Sequence, residues 1–243
     1  MGQRKIDKNH QKHSKYPVAR NRYLQAIFAI IKKDLTAELR SRELISAMLI
    51  FSLLVILIFN FAIELEPKLR LVVTPGILWV TFIFAGTIGL NRSLAVEKDR
   101  GSFDGLLLAP VDRSVILFGK IVGNLVFMFL LEILILPIYS LLYNVNLFQP
   151  GLLLVIFLGS IGYISVGTLL SSMSIQTKTR EMLLPIILFP VTIPILLAAV
   201  KASNGFLQNL GTASINPWIN LLVVYDVIFL AVSYMVFDYI VEE

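Results

Sequence analysis

The sequence predicts an all-α membrane protein with six transmembrane helices. Apolar runs of about 20 residues recur along its 243 residues, and each is long enough to cross a hydrocarbon core of about 30 Å. Hydrophobic residues make up 57% of the chain and charged residues 15%, whereas soluble domains have roughly 45–50% and 25%. Lys and Arg gather in alternate connections between the runs, as the positive-inside rule describes.

The first 20 residues are polar and basic, and they contain both histidines, His10 and His13. They lack the apolar core and the small-residue cleavage site of a secretory signal. We expect residues 1–20 to form a disordered basic cytoplasmic tail. A solvated polar stretch explains the two histidines better than a ligand site does.

Residues 21–42 have the pattern of an amphipathic helix. Apolar residues recur at the spacing of one helix face: Leu24, Ile27, Phe28, Ile31, Leu35 and Leu39. Cations on the remaining surface predict a helix that lies in the membrane interface, with its apolar face toward the acyl chains. The alternative is a helix packed on a partner subunit.

The remaining chain, 43–243, holds the predicted membrane domain. We predict spans at 44–63, 71–93, 115–143, 150–173, 182–200 and 217–239. Eighteen Lys and Arg residues lie on one side of this arrangement and three on the other. The positive-inside rule then places both termini and the connections at 94–114 and 174–181 in the cytoplasm. Trp79 and Trp218 are candidate interface anchors.

Small residues at helix-contact spacing predict close packing between spans. They form three pairs: Ala85 and Gly89, Gly119 and Gly123, and Gly167 and Ser171. The fifth span contains Pro185, Pro190 and Pro194, and each proline removes a backbone donor. We expect these prolines to kink or interrupt the helix, either to line a pathway or as a packing device.

Glu132 is a candidate intramembrane polar site. It lies in the middle of the third span, where an ionised acid costs several kcal/mol in lipid. It could line a polar route, or it could be protonated and bonded to a Ser or Asn of a neighbouring helix, such as Asn60 or Ser171. An intramembrane enzyme is disfavoured, because it would need paired acids, a metal constellation or a nucleophile with a base inside the membrane, and we expect no such companion for Glu132. Asn124 receives only a packing role.

The chain lacks the residues that nucleotide chemistry and thiolate metal sites require. It has no cysteine and no G-x-x-x-x-G-K-[ST] loop, whose backbone amides would cradle phosphates. Its Gly-Lys pair, Gly119 and Lys120, precedes Ile121 and opens a membrane helix. We predict no catalytic, cofactor-binding or metal-binding residue, and we expect ATP to be handled by another subunit.

A charged stretch follows the second span, FAGTIGLNRSLAVEKDRGSFDGLLLAPVDRS at 84–114. The residues 93–98 extend the preceding helix, Gly101 breaks it, and 103–108 predict a short helix stopped by Pro110. A compact charged element of this kind suits a membrane protein that an external motor moves, because force needs specific polar contacts. A solvated turn whose charges only set the topology is the alternative.

The run LNRSLAVEKDRGSFDGLLLAPVDRS at 90–114, with the Gly-Lys pair after it and KKDLTAELRSRE at 32–43, resembles the haem exporter protein B family of cytochrome c maturation, CcmB. The six-span layout matches over 21–241. The resemblance implies an ABC-2-type permease whose amphipathic segment is an N-terminal elbow helix. It also implies a separate ATPase subunit, haem-handling membrane proteins and a periplasmic haem chaperone as partners.

The resemblance assigns the ATPase contact to a coupling loop at 94–114 and its approach. The residues carried over by position are Arg92, Glu97, Asp99, Arg100, Gly101, Asp104, Gly105, Pro110 and Asp112. A symmetric ATPase dimer would favour two copies of this chain. The alternative function is another ABC-2 exporter that moves a lipid-linked saccharide or a drug.

The resemblance also raises the question of haem ligands, which are usually His, Met, Cys or Tyr. No His lies inside a predicted span. Tyr139, Tyr143, Tyr163 and Met128 are candidate ligands, although Tyr and Met are also ordinary packing residues of membrane helices. We therefore expect that this chain binds no cofactor and that any haem handled by the complex is ligated by a partner.

Overall fold

The computed structural model describes residues 20–62, 67–99, 101, 105–106, 108, 111–174 and 180–242. Within these ranges the chain forms seven α-helices and no strand. In chain order they are α1 (Arg20–Ser41), α2 (Glu43–Ala62), α3 (Pro67–Asp99), α4 (Arg113–Tyr143), α5 (Pro150–Ser174), α6 (Arg180–Leu207) and α7 (Thr212–Glu242). The all-α prediction is confirmed. The predicted tail lies outside the described residues, except for Arg20, where α1 begins.

Six helices, α2 to α7, are long and apolar enough to cross a membrane, which confirms the six predicted spans. The predicted limits of the last two differ most from the structure. The helix α6 continues past the predicted end at 200 to Leu207, and α7 begins at Thr212 before the predicted start at 217. Polar residues after 200 suggested a loop, but Ser203 is buried and faces the bundle.

The helix α5 forms the centre of the bundle. It packs against α3, α4, α6 and α7, and 72% of its apolar span is buried, compared with 22% for α2 and α7. Glycines of α5 allow its close contact with α3, because a β-carbon at Gly159 would overlap the ring of Trp79 and one at Gly167 would overlap Leu90. The prediction that small residues mark helix contacts is confirmed.

One prediction about an individual residue is wrong, and one of the two outcomes expected of the prolines is excluded. Trp79 is not an interface anchor, since it is buried and its indole Nε1 donates to Ser203 Oγ at 3.0 Å. The prolines do not interrupt the fifth span, because Arg180–Leu207 is one continuous helix. Neighbouring helices sustain membrane helices that contain proline. Tyr225 of α7 donates to the carbonyl of Val191, between Pro190 and Pro194, at 2.9 Å and so ties this part of α6 to α7.

The helix α1 matches the predicted amphipathic segment in extent. Ile30, outside the predicted apolar face, is its buried hydrophobic residue and packs on Gly119 of α4. Leu24, Phe28 and Leu39 of the predicted face are exposed and available to acyl chains. The chain then turns into α2 at Arg42, whose φ is 57°. The helix therefore belongs to the bundle on one side, and its place in a membrane interface stays a prediction.

Candidate functional site

Polar side chains gather at one end of the bundle, where α1 turns into α2. A cavity of about 230 Å³ lies there between α1, α2, α3 and α4. Seven polar residues line it: Lys33, Asp34, Glu38, Ser41, Glu43, Arg92 and Ser93. Ala37, Leu44, Val96 and Phe127 complete the wall. We call this region the elbow junction.

An ion pair joins α1 to α4 at the elbow junction. Lys120 Nζ lies 2.9 Å from Asp34 Oδ2, and the two side chains are only 4% and 12% exposed. Asp34 Oδ1 also lies 3.0 Å from Lys33 Nζ. Two glycines of α4 allow α1 to pack closely against it. A β-carbon at Gly119 would lie 3.0 Å from Ile30, and Gly123 faces Asp34. The predicted small pair thus allows a buried lysine of a membrane helix to reach an acid of the elbow helix.

Glu38 of α1 caps the first turn of α2. Its Oε1 accepts a hydrogen bond from the backbone N–H of Ile45 at 2.9 Å. This N–H is one of those at a helix start that have no partner within the helix, and the carboxylate also meets the positive end of the helix dipole. The side chain of Ser41 lies 3.5 Å from the other oxygen of Glu38. The turn at Arg42 is therefore held by an acid from the helix before it.

Arg92, the first of the predicted coupling residues, forms an ion pair with Glu43 at the start of α2. The two side chains are 47% and 53% exposed, so water reaches them. The helix α3 continues past the end of its apolar span at Ser93 to Asp99. This confirms that the second span extends beyond the membrane segment, and it links that extension to the start of the first span.

The other predicted coupling residues are less fully described. Glu97 and Asp99 lie in the last turns of α3, with side chains outside the described set. Gly101 has a φ of 62°, as expected where a helix ends, and Gly105 and Asp112 are exposed. Three residues lie outside the described part: Arg100, Asp104 and Pro110. Among the members of this set whose side chains the structure describes, Arg92 lines the elbow junction, and the coupling roles stay predictions.

A row of polar groups runs from the elbow junction into the bundle. Lys120, Asn124 and Glu132 of α4 are buried; Asn124 lies about one turn and Glu132 about three turns beyond Lys120 along the helix. Asn124 Nδ2 donates to Thr168 Oγ1 of α5 at 3.0 Å, and Ser160 Oγ of α5 donates to Glu132 Oε1. The row shows that α4 and α5 are joined by hydrogen bonds as well as by apolar packing.

The bond to Ser160 confirms that Glu132 meets a Ser of a neighbouring helix, but both partners named from the sequence are wrong. Ser171 donates to the carbonyl of Thr168 within α5. It lies about 16 Å along the helix from Ser160, too far to reach the same carboxyl. Asn60 is half-buried and does not bond to Glu132.

A second buried acid, Asp226 of α7, was not predicted from the sequence. It lies inside the last apolar span and is 6% exposed. The signal was present, because Asp226 interrupts the run VVYDVIFL much as Glu132 interrupts LLEILIL. The statement that no second acid accompanies Glu132 in the membrane domain is therefore corrected. The described residues contain no group of three His, Cys, Asp or Glu side chains that could hold a metal ion.

The tyrosines considered as haem ligands are buried, and each makes a hydrogen bond between helices. Tyr139 donates to Thr74 Oγ1 at 3.3 Å, and Tyr143 donates to the carbonyl of Ile56 at 3.0 Å. Tyr163 donates to a carbonyl of α3 at 2.7 Å. These bonds assign structural roles to the three hydroxyl groups.

Known proteins are similar to this chain over most of its described helices. The family model described as CcmB protein matches residues 25–242, from the first turns of α1 to the end of α7. Heme exporter protein B of Haemophilus influenzae is 29% identical over 172 residues, which is 70% of this chain and 77% of the relative. The protein of the same name from Pseudomonas aeruginosa is 25% identical over the same share of each chain. That from Rhodobacter capsulatus is 24% identical over 70% of this chain and 78% of the relative.

Proposed function

Because the chain belongs to the CcmB family, we propose that it is the membrane subunit of an ABC transporter complex for haem delivery or export in c-type cytochrome biogenesis. The observation that carries the proposal is the family match over 25–242, together with relatives named heme exporter protein B. The chain is a transport component. ATP hydrolysis is supplied by a separate ATPase subunit.

The elbow junction supports a route by which the ATPase moves this chain. The ATPase contacts the coupling loop at 94–114, which begins in the last turns of α3. Movement of α3 reaches α2 through the ion pair between Arg92 and Glu43. It reaches α1 through Glu38, which caps α2, and α4 through the pair between Asp34 and Lys120. Four helices thus respond to displacement of one loop.

The proposal includes a location and partners. The excess of Lys and Arg on one side supports a multi-pass protein of the bacterial inner membrane with both termini in the cytoplasm. Two copies of the chain pair with two ATPase subunits. Haem-handling membrane proteins and a haem chaperone complete the assembly, and they ligate any haem. This division fits the structural roles of the tyrosine hydroxyl groups.

Affinity purification of the tagged full chain from its native membrane tests the function. We expect an ATPase subunit and haem-handling proteins to co-purify, identified by mass spectrometry. An ATPase without haem-handling proteins would favour the alternative, an exporter of a lipid-linked saccharide or a drug. Absence of any ATPase would remove the whole proposal.

Charge reversal tests the coupling role of the loop in the purified complex. Glu97→Lys, Asp99→Lys and Arg100→Glu together should lower transport-coupled ATP hydrolysis at least about tenfold, because like charges across an interface cost several kcal/mol. Gln208→Lys with Ala213→Lys adds the same net charge at two exposed positions, one just after α6 and one in the first turn of α7, and should leave hydrolysis unchanged. Equal activity in the two variants would refute the coupling role.

A further inference from the structure

Two buried polar side chains of the described residues have no hydrogen-bond partner, and both belong to α7. They are Asp226, with both carboxyl oxygens, and Ser233, with its hydroxyl. They lie about two helical turns apart on one face of α7, so Ser233 lies between Asp226 and the C-terminal end of the helix. Other buried polar groups of the membrane spans are bonded, as the pairs of Asn124 and Glu132 illustrate.

Asp226 packs closely against α5 because position 162 is a glycine and has no side chain. A β-carbon at Gly162 would overlap both Asp226 Oδ1 and the end of Ile195 of α6. The ring of Tyr225 lies beside the same position, and its hydroxyl is engaged with a backbone carbonyl of α6. The carboxyl therefore lies where α5, α6 and α7 meet, among apolar groups and without a donor.

The two buried acids of the bundle lie on opposite sides of the same stretch of α5. Ser160 bonds to Glu132 of α4, and Gly162, two positions later, faces Asp226 of α7. Two positions correspond to about 200° around a helix, so the two acids face different interfaces at nearly the same depth. One carboxyl has a hydroxyl donor and the other has none.

An ionised carboxylate without a partner costs several kcal/mol inside a bilayer, and uptake of a proton removes this charge. We propose that Asp226 is a proton-binding site within the membrane. Its carboxyl is protonated while α5 and α7 are packed together, and it exchanges the proton with water when the interface between them loosens. Ser233, the other unbonded polar group, lies on the same face of α7 toward its C-terminal end. The site does not depend on the proposed transport function.

The titratable groups described on the helices around α7 leave Asp226 without a charged partner. On α5, the hydroxyl of Tyr163 donates to a backbone carbonyl of α3. On α4, Glu132 accepts from Ser160, and Lys120 is paired with an acid of α1. On α6, Lys201 is exposed near the end of the helix. None of these groups donates a hydrogen bond to the carboxyl of Asp226.

Infrared difference spectroscopy on the full chain in lipid vesicles tests the proposal. Subtracting the spectrum of Asp226→Asn from that of the wild type should leave the carbonyl stretch of a protonated carboxyl, and this band should shift in D₂O. Hydrogen bonding to a carbonyl lowers its stretching frequency. The Asp226 band should therefore lie above the band that Glu132→Gln removes, because Glu132 accepts the bond from Ser160.

A carboxylate band at Asp226 would overturn the proposal, and so would a protonated band that stays unshifted after days in D₂O. A second measurement covers the case in which D226N does not fold. Wild-type protein with ¹³C in the aspartate side-chain carboxyls should show a shifted band of protonated carboxyl, because Asp226 is the aspartate inside the described membrane spans. Absence of that shift counts against protonation. Neither readout requires an ATPase partner, so failure here is distinguishable from failure of the proposed function.

Discussion

The elbow junction and the interior of the bundle satisfy their polar groups in different ways. At the elbow junction the partners are ions, as in the pairs of Asp34 with Lys120 and of Glu43 with Arg92. In the interior, hydroxyl and amide groups are the donors, as Ser160 is to Glu132. Ion pairs are retained where water reaches one side, whereas deeper positions favour groups that carry no charge.

Lys120 is the residue at which the two arrangements meet. It belongs to an apolar span and is almost completely buried, yet its partner is an acid of the elbow helix. The elbow helix is therefore part of the folded bundle and does more than lie against lipid. Three substitutions test this difference between an ionic and a neutral region, and they are ordered by the expected loss of stability.

The largest effect is expected for Lys120→Met. It leaves Asp34 nearly buried with only Lys33 as its cation, and removing one partner of a buried pair costs on the order of 3 kcal/mol. Thermal unfolding of the purified chain in detergent measures the loss. The double variant Lys120→Met with Asp34→Leu should recover most of it, because no buried charge then remains. Wild-type stability of the single variant would contradict the ionic description of the elbow junction.

An intermediate effect is expected in the neutral interior for Gly159→Ala. The new methyl group overlaps the ring of Trp79, whose displacement breaks the bond to Ser203, so the variant should lose about 1–3 kcal/mol. The fluorescence of Trp79 should change with it. Gly76→Ala is the matched control, because nothing lies within 4 Å of its β-carbon, and helix propensity favours alanine. If both variants had equal stability, close packing at Gly159 would be disproved.

The smallest effect is expected for the exposed pair of Arg92 and Glu43. Exposed ion pairs contribute less than about 1 kcal/mol and weaken with salt. A double-mutant cycle with Arg92→Ala and Glu43→Ala, measured by unfolding at two salt concentrations, should yield a small coupling that falls as salt rises. A coupling larger than that of Asp34 with Lys120 would reverse the order of the comparison.

The six spans could be predicted from the sequence because lipid is their solvent, and apolar runs of sufficient length have few other structures available. The end of α6 at Leu207 could not be predicted in this way. Lys201 and Ser203 are polar, and only the partner helix shows that Ser203 is buried and bonded to Trp79. The prolines of α6 are a similar case. Their local chemistry opposes a helix, but the surrounding bundle keeps the helix continuous.

The polar residues of the candidate site could be predicted from the sequence, but their hydrogen-bond and ion-pair partners could not. Arg92 was singled out, but its partner Glu43 lies 49 residues earlier and is brought to it only by the packing of α2 on α3. Glu132 was expected to meet a serine, and the register between α4 and α5 decides which one. Asp226 had as clear a signal in the sequence as Glu132 and was overlooked, so this omission reflects no physical limit.

The contacts of α1 constrain the order in which the protein can be assembled. Asp34 and Lys120 are 86 residues apart, and Tyr23 donates to Ser114, 91 residues later. At about 5–20 residues per second, the ribosome needs on the order of 4–17 s to deliver Lys120 after Asp34. During that interval the exposed apolar side of α1 can rest on the bilayer surface. A nascent chain stopped before α4 would therefore hold its first helix by the Glu38 cap of α2 and by lipid, without the contacts to α4.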